Sequence, residues 1–269
     1  MKTYHFLAGL PRSGNTLLSS ILNQNTNLHC SQLSPINALL WMYKDIVKEN
    51  ENALRYENAE GLNVVGKNII DNFYSNVNKN VIIDREKCWG VEGNFNLIKN
   101  FITPNPKIIF TVRPIIEILT SFISILPEDS YVDRDMYDSG WWGKKYLSKN
   151  DNRCDYLMRP YGLIDKVMMS ADIILNAENK DAFCIIEYDE LIQTPQQTMD
   201  KIYKFLELPT HLHDFNNLIT AEDDNDEKNG FPRDFHKIRP KVQKVSKRPE
   251  DVLSDYVLNK YSNLEWWRK

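Results

Sequence analysis

The sequence predicts an α/β domain, a doubly wound parallel sheet flanked by helices in three α/β/α layers. Three observations lead there. Apolar, β-rich runs at 4–8, 81–83, 107–112 and 182–186 lack polar alternation, as strands buried on both faces do. Amphipathic helical patterns lie between those runs, which implies βαβ units. The 269 residues, 42% hydrophobic and 26% charged, suffice for one large domain with a substantial core.

Taken in order, the first strand, Tyr4 to Ala8, feeds a glycine-bearing loop and a helix patterned by Leu17, Leu18, Ile21 and Leu22. The second strand is Val81 to Ile83. The third, Lys107 to Val112, precedes a helix with Ile115, Ile118, Leu119, Phe122 and Ile123 on one side. The fourth, Ala182 to Ile186, is followed by a helix that starts at Thr194-Pro195 and carries Met199, Ile202, Tyr203 and Leu206. Two regions break the alternation: the polar, aromatic stretch 127–155 and the acidic run Glu222 to Glu227. Both read as mobile loops suited to a lid. No internal repeat is visible, and residues 1–269 are expected to form a single domain, with a substrate or lid insertion at 127–155 and a basic closing segment at 236–248.

Composition excludes several classes. No stretch reaches the roughly 18 uninterrupted apolar residues of a membrane helix, and Met1 to Phe6 runs into the first strand without a signal-peptide apolar region. The expectation is a soluble, cytoplasmic protein with no membrane partner. Cys30, Cys88, Cys154 and Cys184 are widely spaced and have no nearby histidine, so they read as reduced structural thiols, and no metal site is expected. The net charge of −4 offers no general attraction to nucleic acid. An anionic ligand would have to be held by local basic groups.

Such groups follow the first strand, in Gly9-Leu10-Pro11-Arg12-Ser13-Gly14-Asn15-Thr16. Strand, glycine loop and helix form an anion cradle, in which loop amides and the positive helix end face a phosphate. The spacing G-x4-G-x-T is that of a Walker A loop, but Asn15 stands in the lysine position. A nucleoside triphosphatase needs that lysine, and it needs a carboxylate at a later strand end to hold Mg²⁺. Here the third strand ends in Arg113 instead. The arrangement points to an anion neutralised by arginine, hydroxyls and amides without metal.

Phe6 to Leu18 resembles the 5′-phosphosulfate loop of sulfotransferases, P-[RK]-[SG]-G-T-[TS], and is most similar to that of tyrosylprotein sulfotransferases and their bacterial relatives. Asn15 replaces a threonine of that pattern but retains the backbone amide. Lys107 to Arg113, with Ser121 eight residues beyond Arg113, resembles the family's 3′-phosphate motif. Eight residues are about two helical turns, so a helix folding back over the strand end can aim both groups at one phosphate. Cys184 to Leu191, Thr194-Pro195 and Phe205 to Pro209 resemble the family's strand-Y-E-D-L and F-L-G-[LI] segment. The resemblance spans 4–209 and implies a P-loop-type fold and transfer of a sulfuryl group from 3′-phosphoadenosine-5′-phosphosulfate (PAPS) to a hydroxyl acceptor, releasing adenosine 3′,5′-bisphosphate (PAP). It assigns cofactor contacts to Arg12, Ser13, Gly14, Asn15, Thr16, Leu17, Arg113 and Ser121, with Tyr188 beside the nucleotide.

Six cations fall within twelve residues at Lys237, Arg239, Lys241, Lys244, Lys247 and Arg248, where family members carry a loop that closes over the cofactor. Arg239 and Lys241 are the expected phosphate contacts. The five carboxylates just upstream oppose a nucleic-acid arm, which needs unopposed positive charge. Transfer also requires a proton acceptor and cations where charge builds on the leaving phosphate. Arg12 suits the cation role. Tyrosylprotein sulfotransferases place a base in a C-G-E-E stretch, whereas the corresponding Cys30-Ser31-Gln32-Leu33 has no carboxylate. The expected replacement is the cluster after the second strand, with Asp84 or Glu86 as base and Arg85 at the bridging oxygen. The acceptor class stays open among small molecule, glycan, lipid and peptide, as does the oligomeric state. Two alternatives remain: a P-loop nucleotide or small-molecule kinase, opposed by Asn15 and Arg113, and a non-catalytic nucleotide-binding module, consistent with the empty glutamate position.

Overall fold

The computed structural model describes residues 2–55, 59–127, 129–141, 143–219 and 238–268. A five-stranded sheet organises them, with β1 (Thr3–Gly9), β2 (Leu28–Cys30), β3 (Val81–Arg85), β4 (Ile108–Val112) and β5 (Phe183–Glu187) in the order β2-β3-β1-β4-β5. Every pairing is parallel. Helices α1 (Asn15–Leu22), α2 (Ile36–Glu49), α3 (Glu51–Arg55), α4 (Ala59–Phe73) and α5 (Glu92–Phe101) belong to the first half. The second half carries α6 (Ile115–Ile125), α7 (Tyr131–Asp138), α8 (Lys149–Leu157), α9 (Asp165–Met168), α10 (Ser170–Ile174), α11 (Tyr188–Gln193), α12 (Pro195–Leu206) and α13 (Asp255–Tyr261).

Both faces of the sheet are covered, which is why its strands read as continuous apolar runs. Phe6, Ala8, Ile82, Ile108 and Phe110 join one core with residues of α5, α6, α8 and α13. Leu7, Ile83, Ile109 and Ile186 join the other, with Leu18 and Ile21 of α1 and Met199 and Ile202 of α12. Each fully buried aliphatic or aromatic side chain contributes about 1.5–3 kcal/mol. The α/β/α layering expected from the sequence is therefore present. β1 leaves toward α1 on one face and its neighbour β4 leaves toward α6 on the other. Strands that part in this way open a crevice at their carboxyl ends, where ligands of such sheets bind.

Two features depart from the sequence reading. β2 is too short to stand out in a hydropathy scan, and it continues the sheet beyond β3. The stretch 127–155, expected as loop, contains α7 and most of α8. Each is opened by a reciprocal capping box, Ser130 with Asp133 and Ser148 with Asp151. The acidic run at 222–227 and Lys237 lie outside the described residues.

The crevice depends on a close approach. Gly9 pairs with Thr111 at φ 141°, and a Cβ there would come within 2.3 Å of the Thr111 carbonyl oxygen and hydroxyl. Gly9→Ala must push the two strand ends apart, and a loss of about 2–4 kcal/mol is expected, the scale of overpacking plus backbone strain. Urea unfolding measures it; a loss below 1 kcal/mol would show that the approach is relaxed at little cost.

Candidate active site

Thr111 anchors the loop that follows β1. Its carbonyl accepts the Leu10 N–H at 2.9 Å. Its hydroxyl meets the Ser13 hydroxyl at 2.5 Å and donates to Asn15 Oδ1 at 2.9 Å. Ser13 Oγ and Asn15 Nδ2 both donate to the Leu10 carbonyl, at 2.5 and 3.0 Å. Asn15, in the position a Walker lysine would hold, is thus an internal brace whose side chain turns into the loop. Arg12 at φ 59° and Gly14 at φ 92° bend the backbone around it. Gly14 is the N-cap of α1 and supplies no side-chain cap, so the first-turn amides, including that of Thr16, face the concave side of the loop. Leu17 packs against the α1-side core.

The strand-end arginine converges on the same point. Arg113 Nη1 donates to the Arg12 carbonyl at 3.0 Å, and Arg12 Nε donates to Ser121 Oγ at 3.1 Å. Arg12 therefore lies between Arg113 and Ser121 and bonds to both. Arg113 Nε pairs with Glu117 Oε2 at 3.1 Å, its guanidinium lies 4.2 Å from the centre of the Tyr188 ring, and it is 3% exposed. Its Nη2 is buried with no partner among the described residues. A buried, unsatisfied donor on a permanent cation is costly, and an anion is what would satisfy it. Tyr188, at the start of α11, fills the space between this guanidinium and Gly14, 3.1 Å from where a Gly14 Cβ would stand.

The ends of β2 and β3 run side by side. Ser31 N–H donates to the Ile83 carbonyl, Arg85 N–H to Ser31 Oγ, and Ser34 N–H to the Arg85 carbonyl. The segment that lacks the expected glutamate is therefore adjacent to the Asp84-Arg85-Glu86 cluster. Leu33 points to solvent. Asp84 is fully enclosed, taking a hydrogen bond from Tyr74 at 2.6 Å and one from Trp89 at 2.8 Å. Burial pushes its carboxyl up, and both oxygens are occupied, so it holds β3 against the core and is a poor base. Arg85 is enclosed on the α1 side of the sheet near Cys30. Glu86 differs: its N–H donates to the Leu7 carbonyl, which ties it to the root of the phosphate loop. Its Oε2 accepts from the Cys88 N–H, and Oε1 has no protein donor among the described residues. Burial raises the Glu86 carboxyl above its ordinary range.

Beyond Glu86 lies a cleft with a cavity volume of about 220 Å³, walled by Lys87, Tyr131 and residues of α7, α8 and α9. Burial pushes the Tyr131 phenol up to about 12, and the nearby Arg12 charge pulls the other way. One aromatic of the 127–155 stretch thus stands beside the loop. Trp141 packs on Tyr156 instead, Tyr137 and Tyr146 are exposed, and Trp142 lies outside the described residues.

In the basic segment, Arg239 and Lys241 are exposed, and the chain beside them is tied to 215–218 by the Leu218–Pro240 and Val242–Phe215 backbone bonds. Among the described residues of this segment, Lys244 is the cation that reaches the crevice. It bonds Asp189 at 2.9 Å and lies 3.6 Å from Glu117, and the Asp189 carboxylate holds its ammonium above the usual lysine range. Thr111, Glu117 and Lys244 were not singled out from the sequence as site residues. Glu117 was detectable, since an acidic residue in the first turn of the helix that follows Arg113 is close enough to pair with it. Among the described residues no group of three or more His, Cys, Asp or Glu could hold a metal, and no helix is long and apolar enough to cross a membrane.

Comparison with known proteins bears on the fold and the family. The chain aligns over 94% of its length with the sulfotransferase domain of the Synechococcus PCC 7002 olefin synthase, covering 90% of that domain at 14% identity and TM-score 0.57. Mouse sulfotransferase SULT7A1, solved in complex with PAP, aligns with 97% of this chain and 82% of its own, at 12% identity and TM-score 0.51. At such identities the shared property is the fold. No curated protein sequence is a significant match. A family model described as the sulfotransferase family matches residues 5–212, from β1 through α12, and the chain belongs to that family.

Proposed function

We propose that the chain is a PAPS-dependent sulfotransferase that moves a sulfuryl group to a hydroxyl acceptor. The observation that carries this reading is the meeting of Arg12, Arg113 and Ser121 over a loop whose Asn15 is turned inward, with the Arg113 Nη2 donor buried and without a partner among the described residues. The residues fit the group. PAPS supplies the sulfuryl group when bound and leaves as PAP. Arg113 and Ser121 would hold the 3′-phosphate, while the amides from Ser13 to Leu17 and the Arg12 guanidinium would hold the 5′ side. Arg12 would also balance the charge that builds there during transfer. Tyr188 would flank the nucleotide. Lys244 is favoured over Arg239 and Lys241 as the cation that closes the site. The kinase alternative is not favoured by the family. The four buried, unpaired cysteines support a reducing, cytoplasmic setting.

Glu86 is proposed as the proton acceptor in place of the glutamate missing from 30–33. It stands at the carboxyl edge next to that segment, and among the described residues one of its oxygens has no donor. Asp84 and Arg85 would support it structurally. The stretch 127–155 is proposed to border the acceptor site through Tyr131.

Titration calorimetry in EDTA should show PAP binding. Arg113→Ala should weaken it by about 1.5–3 kcal/mol, the scale of a charged hydrogen bond. Binding that appears only with Mg²⁺ would sink the cofactor assignment.

Glu86→Gln should cut turnover by about 10²–10⁴-fold, the usual contribution of a general base, with PAP affinity nearly unchanged. Because burial raises the Glu86 carboxyl, its basic form is lost as pH falls. The wild-type rate should therefore decline on the acid side through a limb lying above the ordinary glutamate value of 4.5, and that limb should be missing in Glu86→Gln. Full activity in the variant would place the base elsewhere.

A further inference from the structure

Resting on the sulfotransferase reading, we infer that the cleft beside Tyr131 selects acceptors that carry an oxyanion, such as a carboxylate or phosphate, in addition to the hydroxyl that is sulfated. Lys87 and Lys166 would be the cations that recognise it.

The walls of the cleft carry three cations, Lys87, Arg159 and Lys166, against one carboxylate, Asp135. Arg159 and Asp135 neutralise each other. The Arg159 guanidinium lies 3.5 Å from the centre of the Tyr156 ring and 3.6 Å from Asp135, while the Tyr156 hydroxyl donates to Asp135 at 2.7 Å. That stack is closed on itself and already satisfied. Lys87 and Lys166 have no ion pair among the described residues, and both face the same space. Glu86, between the root of the phosphate loop and the cleft, feels both ammonium charges but is bonded to the Cys88 amide, so a positive surplus remains even when it is counted.

Size narrows the ligand further. A volume of about 220 Å³ is below the roughly 300–1,000 Å³ of sites for drug-sized molecules, so the cleft takes a small head or ring. Tyr131 and Tyr161 both contribute to the lining. An acceptor with its oxyanion at Lys87 and Lys166 would be held by a second point in addition to its reacting hydroxyl. A second fixed contact of this kind aligns a hydroxyl for transfer.

The test uses a matched pair of probes, 4-hydroxyphenylacetate and its neutral amide, titrated by calorimetry or NMR into the full chain with and without saturating PAP. The acid should bind at least tenfold more tightly than the amide, as a charge-assisted contact implies. Lys166→Gln and Lys87→Gln should each shrink that ratio, and the double variant should bring it near one. Equal binding of the two probes, absence of binding by both at millimolar concentration, or a ratio that survives in the double variant would overturn the inference. PAP affinity measured on the same samples separates the two readings. Normal PAP binding without an anion preference overturns only the inference, whereas failure of the wild type to bind PAP overturns the cofactor reading and leaves the cleft to be judged on the chain alone.

Discussion

The structure depends on the contact between the ends of β1 and β4. There a glycine lets two strand ends approach more closely than any side chain allows, and Thr111 uses the proximity three times. Its carbonyl holds Leu10, and its hydroxyl reaches both Ser13 and Asn15. The loop is thereby stitched to the strand that delivers Arg113. Phosphate loop and strand-end arginine are consequently one rigid unit. A ligand that engages both gains from preorganisation, since little chain entropy remains to be lost on binding.

The electrostatics follow from that stitching. In a nucleoside triphosphatase loop the lysine position carries a mobile ammonium, whereas here the position is spent on bracing and the charge comes from Arg12 and Arg113. Their guanidiniums are held by a carbonyl, a hydroxyl, an aromatic face and Glu117. Arginine suits such a site because its donors lie in a fixed fork and its charge survives burial. Glu117 and Asp189 then act as a counter-charge that also engages Lys244 from the C-terminal segment. An anion entering beside Arg113 would compete with Glu117 for the guanidinium and release part of that network toward Lys244.

Much of this was legible in the sequence, for identifiable reasons. Buried parallel strands announce themselves as unbroken apolar runs, and the nearness of Arg113 and Ser121 to the P-R-S-G loop was readable because a helix that follows a strand end can fold back over it. What was missed fails for equally physical reasons. β2 is three residues long and its existence rests on pairing with β3. The helices within 127–155 were hidden by their polar composition, although the Ser130–Asp133 and Ser148–Asp151 spacing is a start signal. Asp84 looked like a base, but strand alternation puts it on the same face as Ile82, where Tyr74 and Trp89 of that core take up both its oxygens. That Lys244 meets Glu117 and Asp189 while Arg239 and Lys241 stay exposed could not be read from charge density, because it depends on how the segment packs against 215–218.

The most direct test is a crystal structure of the chain with PAP. The account requires one phosphate on the Arg113 Nη2 and Ser121 Oγ and the other on the amides between Ser13 and Leu17, with Tyr188 beside the nucleotide. A nucleotide bound elsewhere, with Arg113 still committed to Glu117 and the loop amides empty, would contradict it.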